Sequence, residues 1–134
     1  MKLGELQGRL EGLYKVATKT LPVKVSYAVS KNIKILSEEF EILDKQRIKI
    51  CENYADKDEN GKAIQKEIEK GKNIFVFSGD NEKKVHKEYS ELLSDEFEAD
   101  IRKVNASEFE KCEMSDRYDI LTPVEFSALD FMID

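Results

Sequence analysis

The chain has 134 residues, 40% of them hydrophobic and 37% charged, with a net charge of -6. That length suits one domain, and the apolar share supports a core beneath an unusually charged surface. Six Gly and two Pro argue against disorder and against an all-β fold, and the acidic balance disfavours nucleic acid as a partner, because phosphate binding needs a basic surface.

The charge is unevenly placed. Residues 1–54 carry ten basic against seven acidic side chains, whereas residues 81–134 carry seven against fifteen. An acidic C-terminal part serves either as an interaction surface or as a solvated face that keeps a small protein soluble. No apolar run approaches the ~20 residues needed to span a membrane, and Met1-Lys2 is followed by alternating Leu, Gly and Glu rather than a signal-peptide core. The expectation is therefore a cytoplasmic protein without a membrane partner. Cys51 and Cys112 fit it as buried reduced thiols, too far apart in sequence for a metal-ligand spacing.

Leu3, Leu6, Leu10, Leu13 and Ala17 step by three and four, which predicts an amphipathic helix over 2–20. Gly4, Gly8 and Gly12 share one of its faces. Either they are tolerated in a loosely helical terminus, or they admit a close approach by the second helix or by a second copy of the chain. Leu21-Pro22 ends this helix, since Pro disfavours helical geometry in the residue before it. A much longer helix follows, over Pro22–Tyr54, with the row Val29, Ile33, Leu36, Phe40, Leu43, Arg47, Ile50 and Tyr54 beside a second row of Ala28, Ile35 and Ile42. Together the rows cover roughly half the helix, wider than a coiled-coil seam, so more than one element should pack against it. Ile33, Leu36, Phe40 and Leu43 are expected among the most buried residues.

Asp56-Lys57-Asp58-Glu59-Asn60-Gly61 is turn chemistry, and Asn-Gly is its strongest part. The same stretch matches a calcium-loop pattern through Asp56, Asp58, Asn60, Gly61 and Glu67, which would supply oxygen ligands at alternating positions and a closing bidentate Glu. Against calcium stand Ala63 where such loops carry a β-branched residue, the short span before Gly71, and the lack of a second loop. Asn73–Phe77 is a strand, partnered by Lys62–Lys66 or by the stretch near Ala99. Val85, Tyr89, Leu92 and Leu93 mark a third helix over 81–94; His86, the single histidine, lies beside its apolar face with no Cys near it in sequence, as a surface or edge residue does. Phe97, Ala99 and Ile101 alternate with charged residues as in a half-buried strand. Ser107–Met114 centres on Phe109 as a helical turn, and Tyr118–Leu121 is extended. The last helix has the clearest signature: Thr122 as cap, Pro123 at the first helical position, Glu125 closing a capping box, and Leu121 with Phe126 as a hydrophobic staple. Phe126, Leu129 and Ile133 should face inward, with Phe131 and Met132 adding contacts.

The fold class implied is α+β and α-rich: a long antiparallel N-terminal helix pair with a small antiparallel β element, a third helix and a short C-terminal helix. Residues 1–134 are taken as a single domain, with a helical hairpin over 1–55 and a smaller α+β part over 56–134. Several stretches together carry a resemblance: Leu21–Tyr27, the acidic Asn-Gly turn, Glu91-Leu92-Leu93, Phe97–Ile101, Leu121-Thr122-Pro123 and Ala128–Ile133. Spanning nearly the whole chain, this pattern resembles a family of small uncharacterised proteins encoded by phages and prophages of Gram-positive bacteria. The resemblance implies a viral or prophage origin and brings no activity with it.

No catalytic constellation or cofactor motif stands in the sequence, so the expected function is non-enzymatic. It is protein–protein interaction, in virion or tail assembly or in inhibition of a host protein such as a defence factor, in the host cytoplasm or associated with the virion. The alternative is a calcium-binding module using Asp56, Asp58, Asn60 and Glu67. The candidate interaction residues are Leu10 and Leu13 on the first helix and Phe126, Leu129 and Phe131 near the C-terminus. Either they seam a homodimer or they fold back onto one core.

Overall fold

A helix of this composition forms where apolar residues recur at three and four, and the computed structural model, which describes all residues 1–134, obeys that rule at both N-terminal helices. The order is a 3-10 turn over Leu3–Glu5, α1 (Leu6–Ala17), α2 (Val23–Tyr54), β1 (Gln65–Glu69), β2 (Lys72–Phe75), α3 (Asn81–Leu93), α4 (Ser107–Met114), α5 (Pro123–Ala128) and a second 3-10 turn over Asp130–Met132. The fold is α+β and α-rich. It falls into two compact units, one of Met1–Phe40 with Glu96–Asp134 and one of Glu41–Asp95, so the division does not lie at residue 55 as the sequence suggested. The chain leaves the first unit within α2 and returns to it at Glu96.

In the first unit, Leu6, Leu10, Leu13 and Val16 form the buried stripe of α1, joined by Val25, Ala28, Val29 and Leu36 of α2 and by Leu129 and Met132. At 0% exposure Asn32 sits in this core too. The buried face of α2 thus runs Val25, Ala28/Val29, Asn32, Leu36, Leu43. That corrects the expected stripe: Leu36 and Leu43 are buried, but Ile33 and Phe40 are only half-buried and Ile42 is 55% exposed. The physical reason is that a count of apolar residues skips a polar side chain lying at the centre of the arc, and so rotates the inferred face by one position.

The stretch around Phe97–Ile101 is not a strand. Phe97, Ala99 and Ile101 are half-buried and their neighbours exposed, so the alternation is present, but no ladder forms. Its contacts are a single bridge between Lys2 and Glu96 and a bond from the Phe97 N–H to the Met1 carbonyl at 2.9 Å. Further on, Val104 bridges Ile133: the Val104 N–H donates to the Met132 carbonyl, and the Asp134 N–H donates to the Val104 carbonyl, both at 2.8 Å.

In the second unit β1 and β2 pair antiparallel as one hairpin, Gln65 opposite Phe75 and Lys66 opposite Ile74, with an irregularity between Glu67 and Glu69. The strand partner begins three residues later than Lys62, because the connecting turn is at Lys70-Gly71, where Gly71 takes φ +80°. The Asn60-Gly61 turn closes a smaller loop of its own, with Lys57 bridging Ala63. α2 ends where Asn81 of α3 donates its side-chain amide to the Tyr54 carbonyl at 3.1 Å and the Tyr54 hydroxyl donates to Glu88 at 2.8 Å.

One glycine of the α1 row meets a neighbour. A Cβ built on Gly12 would lie 2.9 Å from the Ala128 Cβ, whereas one on Gly8 would meet nothing within 4 Å. The close approach at Gly12 is therefore to α5, not to α2. A Gly12→Ala change gains ~1 kcal/mol of helix propensity and loses roughly 1–3 kcal/mol to overpacking. Chemical denaturation of the four chains of a Gly12→Ala, Ala128→Gly cycle should show Gly12→Ala lowering stability when residue 128 is Ala and raising it when residue 128 is Gly. An equal effect in both backgrounds would place the contact elsewhere.

Candidate functional site

The C-terminal cap organises the most site-like surface of the first unit. The Glu125 N–H donates to the Thr122 hydroxyl at 3.2 Å, and the Thr122 N–H donates to the Glu125 carboxylate at 2.9 Å. Pro123 takes the first helical position, so the capping box is present as its residues dictate. It aims Phe126 across to α4, where Phe126 meets Phe109 edge to face, with ring centroids 5.3 Å apart. Between α4 and this segment lies a cleft of about 310 Å³ lined by Phe109, Glu110, Glu113, Ile120, Leu121 and Phe126. Phe109 is buried, but Ile120 is 66% exposed, and on the same two segments Val124 is 79% and Met114 83% exposed. Single exposed apolar residues are ordinary; Ile120 and Phe126 exposed together in one cleft, with Val124 and Met114 exposed on the segments that form it, are what partner surfaces show.

The electrostatics of the cleft are one-sided. Outside its lining, Glu108 on α4 is neutralised by Lys111 at 2.7 Å and Lys24 at 3.7 Å, and Glu125 on α5 by Lys19 at 3.2 Å. The hydrogen bond from Lys111 holds the Glu108 carboxyl below its ordinary range, and the Thr122 N–H does the same for Glu125. Glu110 and Glu113, which line the cleft, form no salt bridge. Cys112, also in the lining, is a free buried cysteine whose thiol is pushed up by burial, the environment of a structural cysteine rather than a nucleophile.

The five residues expected to form an interaction surface divide sharply. Leu10, Leu13 and Leu129 are 6%, 0% and 0% exposed, so they belong to the core and present no seam to a partner. Phe131 is half-buried, with the Arg9 guanidinium 4.8 Å over its ring. Phe126 alone among the five is counted as exposed, at 42%. Ile120, Val124 and Met114 were missed, although the staple pairing of Leu121 with Phe126 already marked this corner of the chain.

The calcium-pattern residues are used separately in the second unit. Asp56 accepts from the Ser78 hydroxyl at 2.7 Å, Asp58 accepts from the Asn60 and Lys62 N–H groups at 2.9 Å, and Glu67, on a strand rather than a helix, accepts from the Gly71 N–H at 3.3 Å. No group of three or more His, Cys, Asp or Glu side chains is gathered as metal ligands. His86 is exposed on α3, 3.9 Å from Glu82. No helix is long and apolar enough to cross a membrane.

No protein-family model, curated protein or solved structure matches this chain.

The capping box also carries a pH dependence. Because the Glu125 carboxyl is held below its unfolded value of ~4.3, its contribution is complete above that value and is lost as pH falls through the lower folded value. Urea melts at neutral pH and at about pH 3 should show Glu125→Ala lowering the midpoint at neutral pH and the difference from wild type shrinking in acid. A difference of constant size across that range would refute the assignment.

Proposed function

We propose that this chain is a non-enzymatic interaction protein whose acid-lined apolar cleft between α4 and α5 receives a segment of another protein. The observation that carries the reading is the combination of exposed Ile120 and Phe126 with Glu110 and Glu113 in the lining of one cleft. An apolar floor gives affinity to a short amphipathic segment, and unneutralised carboxylates favour one flanked by Lys or Arg. The excess of acidic side chains in residues 81–134 extends that preference beyond the contact itself.

The sequence resemblance to small phage and prophage proteins supports a role as an accessory protein of such an element. The interaction then serves virion or tail assembly, or holds a host protein such as a defence factor inactive. Both roles need a surface that recognises a partner and neither needs a reaction centre.

Fluorescence anisotropy with two synthetic helical peptides of one apolar pattern, one with Lys flanks and one with Glu flanks, tests the reading. The Lys-flanked peptide should bind and the Glu-flanked one should not. Ile120→Asp, a change at an exposed position, should weaken binding by about tenfold or more, the scale of a central apolar contact. Equal binding of both peptides, or an Ile120→Asp chain that binds normally, would contradict it.

A further inference from the structure

A second cleft of the first unit has the opposite character and takes a different class of ligand. It has a volume of about 360 Å³ and is lined by Val23, Lys24, Tyr27, Arg102, Lys103 and Glu108, among others. Three cations against one carboxylate leave it at +2 in a chain whose net charge is -6.

The central cation is held in place. Asn32, the one polar residue in the buried core, accepts from the Arg102 N–H at 2.7 Å and donates to the Arg102 carbonyl at 3.0 Å. The backbone of residue 102 is thereby fixed from both sides. Its guanidinium lies 5.6 Å over the Tyr27 ring and makes no salt bridge or hydrogen bond to any protein acceptor. Its forked donors are open. Lys103 gives one N–H to the Phe131 carbonyl at 2.7 Å and keeps two more. Lys24 is 3.7 Å from Glu108 and its side chain is 77% exposed, so it is free to swing toward an anion. Beside these donors, Tyr27 is 54% and Val23 81% exposed, a flat apolar wall within the cleft lining.

We propose that this cleft binds a phosphate monoester carrying a flat ring, a ligand of the mononucleotide kind. The charge matches: a phosphate monoester bears roughly -1.5 to -2 at neutral pH against the +2 of the lining. The geometry matches as well. Arg102 offers the planar fork that engages phosphate oxygens in pairs, and beside it the part of the Tyr27 ring that the guanidinium leaves exposed, with Val23, gives the ligand's ring apolar surface to pack on. The cleft falls in the size range of small-ligand sites, from about 300 Å³ upward. This site shares no lining residue with the α4–α5 cleft and does not depend on the protein-binding reading.

Isothermal calorimetry on the full chain with adenosine and guanosine monophosphate, and with inorganic phosphate alone, decides it. At least one of the two nucleotides should saturate below about 1 mM, and inorganic phosphate should bind at least about tenfold more weakly. Arg102→Gln, with an unchanged circular dichroism spectrum and melting temperature, should weaken the nucleotide by about tenfold or more, and Tyr27→Ala should weaken the nucleotide but not inorganic phosphate. Absence of heat from both nucleotides, equal affinity for inorganic phosphate, or an Arg102→Gln chain that binds normally would each overturn the proposal.

Discussion

The structure of the first unit depends on one side chain, Asn32. Its amide pairs with both backbone groups of Arg102 much as a neighbouring strand would, and its nitrogen lies 3.5 Å from the Met132 sulfur. In a core of Leu, Val and Ala a buried amide is costly unless every polar atom is satisfied, and here both are. The constraint runs outward from there. Two residues on, Val104 exchanges backbone hydrogen bonds with the 132–134 segment, and Leu129 and Met132 are fully buried beside it. Without a β-ladder to organise residues 96–104, this amide does for the return of the chain what a sheet does elsewhere.

The same unit carries both surfaces. Where the C-terminal segment turns back under α1, Gly12 meets Ala128 so closely that no side chain fits between them, and α5 is seated by that approach together with the Phe126–Phe109 contact and the buried Leu129. Val124 faces outward with Ile120, and Phe126 is part-exposed against Phe109, so a short helix so rich in apolar residues has a wet side. The Arg102 guanidinium lies over Tyr27, and Lys103 and Lys24 line the same cleft, so three cations meet there against the single carboxylate of Glu108.

Much of the fold was legible in the sequence, for physical reasons. The period of three and four over Leu3–Ala17, which ends in the structure on buried Val16 rather than on exposed Ala17, and that along α2 are one-dimensional signals, as are the Thr122–Glu125 capping box and the β-branched and aromatic run at Ile74–Phe77. Each depends only on residues close together in the chain. The half-buried alternation of Phe97, Ala99 and Ile101 was equally visible, but a strand needs a partner, and the partner is a three-dimensional fact. Asn32 was invisible because apolar periodicity assigns polar residues to the outside, and nothing local says that residue 102 will come to meet it. The Gly12 approach was readable as an approach, not as one to α5. Of the candidate interaction residues, the sequence counted apolar density near the C-terminus but did not sort it: helical spacing puts positions 126 and 129 on one face, yet α5 ends at Ala128, and Leu129, its C-cap, is fully buried while Phe126 is 42% exposed.

The central claim is that Asn32 holds residues 102–134 onto α2 through the Arg102 backbone. Replacing it by Leu keeps the branched shape and removes both hydrogen bonds, leaving a backbone N–H and C=O without partners. Urea unfolding of Asn32→Leu, read together with amide hydrogen exchange, tests this most directly. The account expects a loss of roughly 2–4 kcal/mol, the cost of two stranded backbone groups, with faster exchange at Arg102, Val104 and Asp134. A stability within about 0.5 kcal/mol of wild type with unchanged protection at those three amides would contradict it.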